Sequence, residues 1–167
     1  MSSGKTHAKA SLILSAGFCV SYLASGNPLV FEMAIGSLVG IFITPDLDLS
    51  NGGVVNGKFI KRKLGDFPLR AWKLLWKKYS DSFPHGSWAS HFPIFSTYVR
   101  LFYIFFMVLV PFYVVYSLIL LSSNYHIILI TEALWWCKIM FASWYTVGLC
   151  ASDLIHYSLD VMTKNVD

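Results

Sequence analysis

Hydrophobic and polar positions divide the chain into four apolar runs separated by short polar stretches. Ala10 to Ala24 is apolar and rich in small residues, and Ser25-Gly26-Asn27-Pro28 breaks it. The polar start before it offers Ser3 or Thr6 as a helix cap. Leu29 to Thr44 is the second run, and its Gly36 and Gly40, four apart, mark a face where two helix backbones approach closely. Each of these runs has about 15 or 16 residues, short of the roughly 20 a spanning helix needs, so a buried hairpin is the competing reading. Glu32 inside the second run is a further cost to a membrane span. Tyr98 to Ser122 is the clearest span, some 25 residues whose single charge is Arg100 near its start. Ile127 to Cys150 is also long enough, with Glu132 and Lys138 expected to face a bundle interior or to snorkel. Lys138 is expected to find a carboxylate partner.

Between the second and third runs lie Thr44-Pro45-Asp46-Leu47-Asp48-Leu49-Ser50 and a loop of Gly and Asn reaching Gly57. The stretch from Lys58 to Ser82 is basic and aromatic, with Asp66 as its expected N-cap and Pro68 in the first turn. Leu69, Trp72, Leu75 or Trp76, and Tyr79 recur at helical spacing, opposite Arg70, Lys73, Lys77 and Lys78. Such an amphipathic helix suits a membrane interface, or packs its apolar face on the rest of the protein.

Composition moves the picture further toward the bilayer. The chain is 56% hydrophobic and 13% charged, whereas a soluble domain carries about 25% charged residues. Its net charge is +4, and eight of its 13 Lys and Arg fall between Lys58 and Lys78. Nucleic acid is not an expected partner, because the surroundings of that block are too apolar. Membrane lipids are. By the positive-inside rule the block is cytoplasmic, and two crossings on either side put both termini on the same face of the inner membrane. The expected architecture is therefore all-α: a multi-pass integral membrane bundle of about four apolar helices plus an interfacial amphipathic helix. It forms a single domain, 1–167, with the loop 45–97 on the cytoplasmic face and oligomerisation left open. Cys19, Cys137 and Cys150 lie in apolar runs without metal-ligand spacing and read as core residues. Met1 to Lys9 is basic, but no clean cleavage site follows, so no secretory signal is expected.

Chemistry-bearing residues gather at the edges of the apolar runs. They are His7, the pair Asp46 and Asp48, the pair His85 and His91 within Pro84 to Pro93, and the cluster Asp153, His156 and Asp160. Counting crossings puts all eight on one side and His126 on the other, where it reads as structural or exposed. Neutral imidazole is the commonest protein metal ligand, and carboxylates complete the sets that hold divalent ions, zinc foremost. Eight candidates are too many for one tetrahedral ion and suit two or more, of the kind that hydrolyses phosphoesters. Asp46 and Asp48, two apart after a proline, are the candidate catalytic carboxylates, one ligating while the other orients a histidine. Asp153, His156 and Asp160 make a single stripe on a helix.

The substrate class so implied is an anionic headgroup or another phosphorylated molecule, in a lipid or lipid-linked compound. Ser87 and Ser90 beside the histidines raise a Ser-His-Asp hydrolase as rival, but nothing resembles a nucleophile elbow. A non-enzymatic membrane protein, its metal stapling helix ends while the basic loop recruits a partner, is the alternative function. A transporter would place its ligands near the midplane instead.

Ser3-Gly4-Lys5-Thr6-His7, Pro45-Asp46-Leu47-Asp48, the Leu69–Lys78 stretch and Ser87-Trp88-Ala89-Ser90-His91-Phe92-Pro93 together resemble an uncharacterised family of metal-binding membrane proteins of bacteria. Asp153-Leu154-Ile155-His156 with Asp160 resembles the closing motif of related membrane-bound metal-dependent hydrolases, themselves distantly similar to the all-α zinc-dependent phospholipase C and nuclease group. The resemblance implies a helical fold, a divalent-metal site and phosphoester hydrolysis. The implied ligands are His7, Asp46, Asp48, His85, His91, and His156 with Asp153 or Asp160. In that family an arginine often follows the first histidine of the central motif. Gly86 stands there in this chain, which weakens the catalytic implication, and Lys5 is the substitute the sequence offers.

Overall fold

The computed structural model describes residues 4–49, 54–119 and 126–164, and among them every regular element is helical. Helix α1 (Gly4–Ser25) ends where Gly26 takes a φ of +66° and donates its N–H to the Tyr22 carbonyl at 2.7 Å. Asn27 then caps α2 (Pro28–Val39), its side chain accepting the Leu29 N–H at 3.1 Å with Pro28 in the first turn. A 3-10 turn, Pro45–Asp48, leads toward α3 (Val54–Leu64) and α4 (Asp66–Ser82). The short α5 (Trp88–His91) precedes α6 (Phe95–Ile104), which runs on through a π-helical turn, Phe105–Leu109, into α7 (Val110–Ile119). Helices α8 (His126–Ala142) and α9 (Trp144–Lys164) complete the chain.

Four crossings are not what these elements provide. Among the described residues two helices, Gly4–Ser25 and Phe95–Leu118, are long and apolar enough to cross a membrane. Helix α2 has 12 residues, about 18 Å at 1.5 Å per residue, against a hydrocarbon core of about 30 Å. The run from Ile127 to Cys150 is interrupted at Ser143. There the Ser143 hydroxyl donates to the Ile139 carbonyl and the Thr146 hydroxyl to that of Met140 at 2.6 Å, so side chains satisfy the carbonyls at the end of α8. Uninterrupted hydrophobicity thus concealed a helix boundary. The cytoplasmic placement of both termini rested on four crossings and loses that support. Glu132 and Lys138 are exposed on α8 rather than turned into a bundle interior.

Smaller expectations shift as well. The loop expected to reach Gly57 gives way at Val54 to α3, where the Asn56 amide donates to the Phe42 carbonyl at 3.0 Å. Gly65, at a φ of +92°, is the N-cap of α4, and Asp66 lies one residue inside, paired with Lys61 at 3.5 Å. Thr6 sits within α1, and Ser3 lies outside the described residues. Cys19, Cys137 and Cys150 are unbridged and half-buried.

Packing is of two kinds. Helices α1, α2 and α9 meet through small residues. A Cβ on Gly36 would run into the Tyr145 carbonyl, and one on Gly148 into that of Met33, so the backbones of α2 and α9 touch. Hydroxyls stitch the same contact: Ser11 to Ser152 at 2.7 Å, Ser15 to the Ala34 carbonyl at 2.8 Å, and Ser37 to that of Gly148 at 2.9 Å. The second kind is aromatic. Trp76 and Tyr79 of α4 close over Leu47, with Trp72, Leu75, Val99 and Tyr103 around them. The apolar face of α4 is therefore spent on the core, and its cations face outward. Only 11% and 6% of the most apolar windows of the two long helices are buried within the chain, unlike the core helices of a soluble protein.

Substitution of Gly36 or Gly148 by alanine should destabilise the fold by about 2 kcal/mol, because a backbone carbonyl cannot yield as a side chain can. Gly17→Ala, facing open space in mid-helix, should be neutral or stabilising by about 0.5–1 kcal/mol. Thermal unfolding of the three variants in detergent checks both; equal melting temperatures would show that the helix crossing is not tight.

Candidate metal centre

The 3-10 turn puts Asp46 and Asp48 two residues apart on a tight coil whose middle residue, Leu47, is anchored in the core. That anchor holds the two carboxylates against α9 on one side and the α5 segment on the other. The Asp48 carboxylate is buried and both its oxygens are engaged. Oδ1 meets His85 Nδ1 at 2.7 Å, while Oδ2 accepts the Gly86 N–H at 3.2 Å and lies 3.4 Å from His91 Nδ1. Asp46 is half-buried, with Oδ1 3.6 Å from His156 Nε2. From α9, the second carboxylate oxygen of Asp160 lies 3.4 Å from the same Nε2, and its first lies 3.3 Å from His7 Nε2 of α1.

The four imidazoles form a file. His7 stacks on His156 with ring centroids 3.5 Å apart; His91 is 5.9 Å from His156, and His85 is 5.2 Å from His91. Three overlapping sets result: His7, His156 and Asp160; Asp46, His91 and His156; and Asp48, His85 and His91. Within each set one donor atom from every residue lies within 4.8 Å of the others. The file runs from a buried end at His7 to an open end at His85, whose side chain is 32% exposed.

The hydrogen bonds these residues make suit them to a divalent cation. His91 Nδ1 faces the Ser90 hydroxyl at 2.9 Å, and His156 Nδ1 faces the Thr44 hydroxyl at 3.4 Å. The opposite nitrogens, Nε2 of both rings, are buried and make no hydrogen bond. A buried polar atom left so costs about 1–3 kcal/mol. Orienting one imidazole nitrogen from behind and presenting the other is how proteins arrange metal-ligating histidines. Burial also lowers the His91 pKa from its ordinary 6.5, outweighing the pull of Asp48, and so favours the ligating neutral form.

A family model describing an uncharacterized metal-binding protein, DUF2227, matches residues 2–167. The chain belongs to that family. Comparison with curated proteins and with solved structures gives no match. The DUF2227 match carries metal binding; it does not extend to the hydrolase or phospholipase C likeness. Within this DUF2227 chain the fold brings seven of the eight sequence candidates together: His7, Asp46, Asp48, His85, His91, His156 and Asp160. Asp153 goes elsewhere. Although it shares a stripe with Asp160, seven residues separate them, about 10 Å along the axis. Its carboxylate is taken instead by Arg100 and the Thr97 hydroxyl of α6. His126 opens α8, and its side chain lies outside the described residues.

Arg100, Thr97, Ser90 and Thr44 are the contributors that motif reading missed. Arg100 is 0% and Asp153 1% exposed. Burial pushes the Asp153 carboxyl upward in pKa, against the opposing pull of Arg100 and Thr97. Arg100 also donates to the Ser90 carbonyl at 3.4 Å, so one ion pair steadies both the His91 segment and the helix carrying His156. The available signal was a single arginine one turn after a threonine, in an otherwise uncharged run. Ser90 is fully buried, so its hydroxyl is out of a substrate's reach and serves to orient the His91 ring. Gly86 has a φ of +75° and its N–H on Asp48. An arginine there would have to adopt a left-handed backbone.

Purified protein should carry divalent metal, and His91→Ala or Asp46→Ala should lose it, as elemental analysis will show. Retention of full metal by both variants would refute the cluster. Metal should stay bound at neutral pH and leave as acidification takes His91 through its lowered pKa. The metal-free fold should weaken in the same direction, because the unfolded chain binds more protons as pH falls through 6.5. A titration following metal release and melting temperature together checks the sign. Arg100→Met, leaving Asp153 buried without its partner, should cost about 3–5 kcal/mol in chemical unfolding.

Proposed function

We propose that the protein is a membrane-associated, divalent-metal-dependent hydrolase of phosphoesters in lipid or lipid-linked substrates. The observation that carries this reading is a chain of overlapping His and Asp sets that is buried at His7 and open at His85. A staple needs four protein ligands and a closed shell. Seven donors with an exposed edge leave coordination for water and for a substrate oxygen. Zinc suits the imidazole-rich donors best among common divalent ions. When bound, the ions supply Lewis acidity and lower the pKa of coordinated water to about 7.

The side chains divide the remaining work. Asp48, with both oxygens engaged, holds His85 and His91 in place. Asp46, half-buried and facing His91 and His156, accepts the proton of the attacking water. His85, at the open edge and held through Nδ1 by Asp48, completes the outermost donor set. Lys5, exposed in the first turn of α1, is a cation available to a phosphate. The two long apolar helices, hardly buried within the chain, support attachment to a membrane. The exposed basic residues of α3 and α4 favour a cytoplasmic face with anionic lipid.

One observation favours a second reading. The ligands come from α1, the 3-10 turn, the α5 segment and α9, so a bound ion would tie the fold together without any reaction. Turnover separates the two. Metal-loaded protein should hydrolyse phospholipids, isoprenoid phosphates or generic phosphoesters, and Asp46→Asn should abolish release of product while Lys5→Ala raises KM. A folded, metal-loaded preparation that leaves all three classes intact would give the structural reading the field.

A further inference from the structure

Beside the open end of the metal cluster lies an apolar surface that neither metal binding nor the core uses. Trp88 stacks on Phe92 with centroids 5.1 Å apart and meets Phe95 at a tilt with centroids 4.6 Å apart. All three are exposed, at 62%, 43% and 43%, and Ile94 between them is 59% exposed. Ile94 also holds a φ of +69°, a conformation that costs a β-branched residue about 1–3 kcal/mol and persists only where surroundings impose it. The chain is bent there so that Phe92 and Phe95 meet the same indole. Four large apolar side chains gathered on one exposed turn mark a contact surface.

We propose that this patch seats in the interfacial layer of a lipid bilayer, so that the metal cluster opens at the depth of the lipid headgroups. The proposal deepens the function above and rests on its membrane association. Two features select a bilayer as the occupant. Phe95 is the first residue of the Phe95–Leu118 stretch, which is long and apolar enough to cross a membrane. Phe102 and Phe106 continue the exposed surface along it. Tryptophan and other aromatics placed at the end of such a helix are the residues that favour the boundary between headgroups and acyl chains.

The consequence for the site follows from the segment itself. His85 precedes the patch and His91 lies between its Trp88 and Phe92, and His85 is the exposed ligand of the cluster. With Trp88 and Phe95 at the boundary, the Asp48–His85–His91 end faces the phosphate layer. A phosphorylated amphiphile then reaches it by lateral diffusion, its tail still in the bilayer. Exposed Lys78, near the end of the preceding helix, is a cation suited to anionic headgroups.

The test uses the full chain with Cys19, Cys137 and Cys150 replaced, in nanodiscs of phosphatidylcholine and phosphatidylglycerol. Single cysteines at Trp88 and, separately, at Phe95 carry an environment-sensitive fluorophore, with the same fluorophore on glutathione free in the buffer as the water control. Bound metal in each variant verifies that the cluster has formed, and the two positions report independently. Lipids with a spin label near the headgroup should quench both patch probes several-fold more than iodide does, and the control should show the reverse. Iodide quenching equal to the control, quenching mainly by labels deep in the acyl chains, or recovery of the protein outside the nanodiscs would each overturn the proposal. Shielding from iodide that persists in detergent and grows with protein concentration would assign the patch to a second copy instead. Turnover is measured separately: loss of activity with this quenching pattern intact removes the reaction and leaves the interface standing.

Discussion

Desolvated charge is the constraint on which this structure turns. Three carboxylates and four imidazoles share one small volume in a chain that is 56% hydrophobic. Removing such groups from water is costly unless each finds a partner. Most do so locally: Asp48 through two histidines and a backbone N–H, His156 and His91 through hydroxyls behind them. What these bonds leave over is two buried Nε2 atoms aimed among carboxylates, and a cation is the species that satisfies both kinds of donor at once. The rest of the fold sets the distances. Glycine contacts bring α9 hard against α2, and the buried Arg100–Asp153 pair ties α9 to α6, so the helix carrying His156 has little freedom to retreat.

Much of the site was legible because its residues obey local rules. A proline-led Asp-Leu-Asp, paired histidines before an apolar run and an i, i+4 His156–Asp160 pair each announce themselves without a partner in view. Their shared location was anticipated by counting membrane crossings, yet it is produced by helix packing, and the count itself did not survive. Gly36 and Gly40 advertised a close helix contact, though nothing local says that the opposing backbone belongs to α9. The break at Ser143 escaped notice because hydropathy averages over hydroxyls, whereas a helix end depends on where those hydroxyls donate. Asp153 shows the same limit: periodicity gives the face of a helix, and only the fold decides which neighbour lies at each level along it. For α4 the two readings of an amphipathic pattern were equivalent in sequence, and packing against Leu47 decided for the core.

The overlap of the three donor sets has a further meaning. With one donor atom from each residue, the central set, Asp46, His91 and His156, borrows an imidazole from each of its neighbours. The outer sets have no residue in common. Because His91 and His156 each serve two sets, an ion at one set draws on a side chain that the next set shares. Changing either shared histidine therefore disturbs two sets at once, whereas His7, Asp46, Asp48, His85 and Asp160 each belong to one.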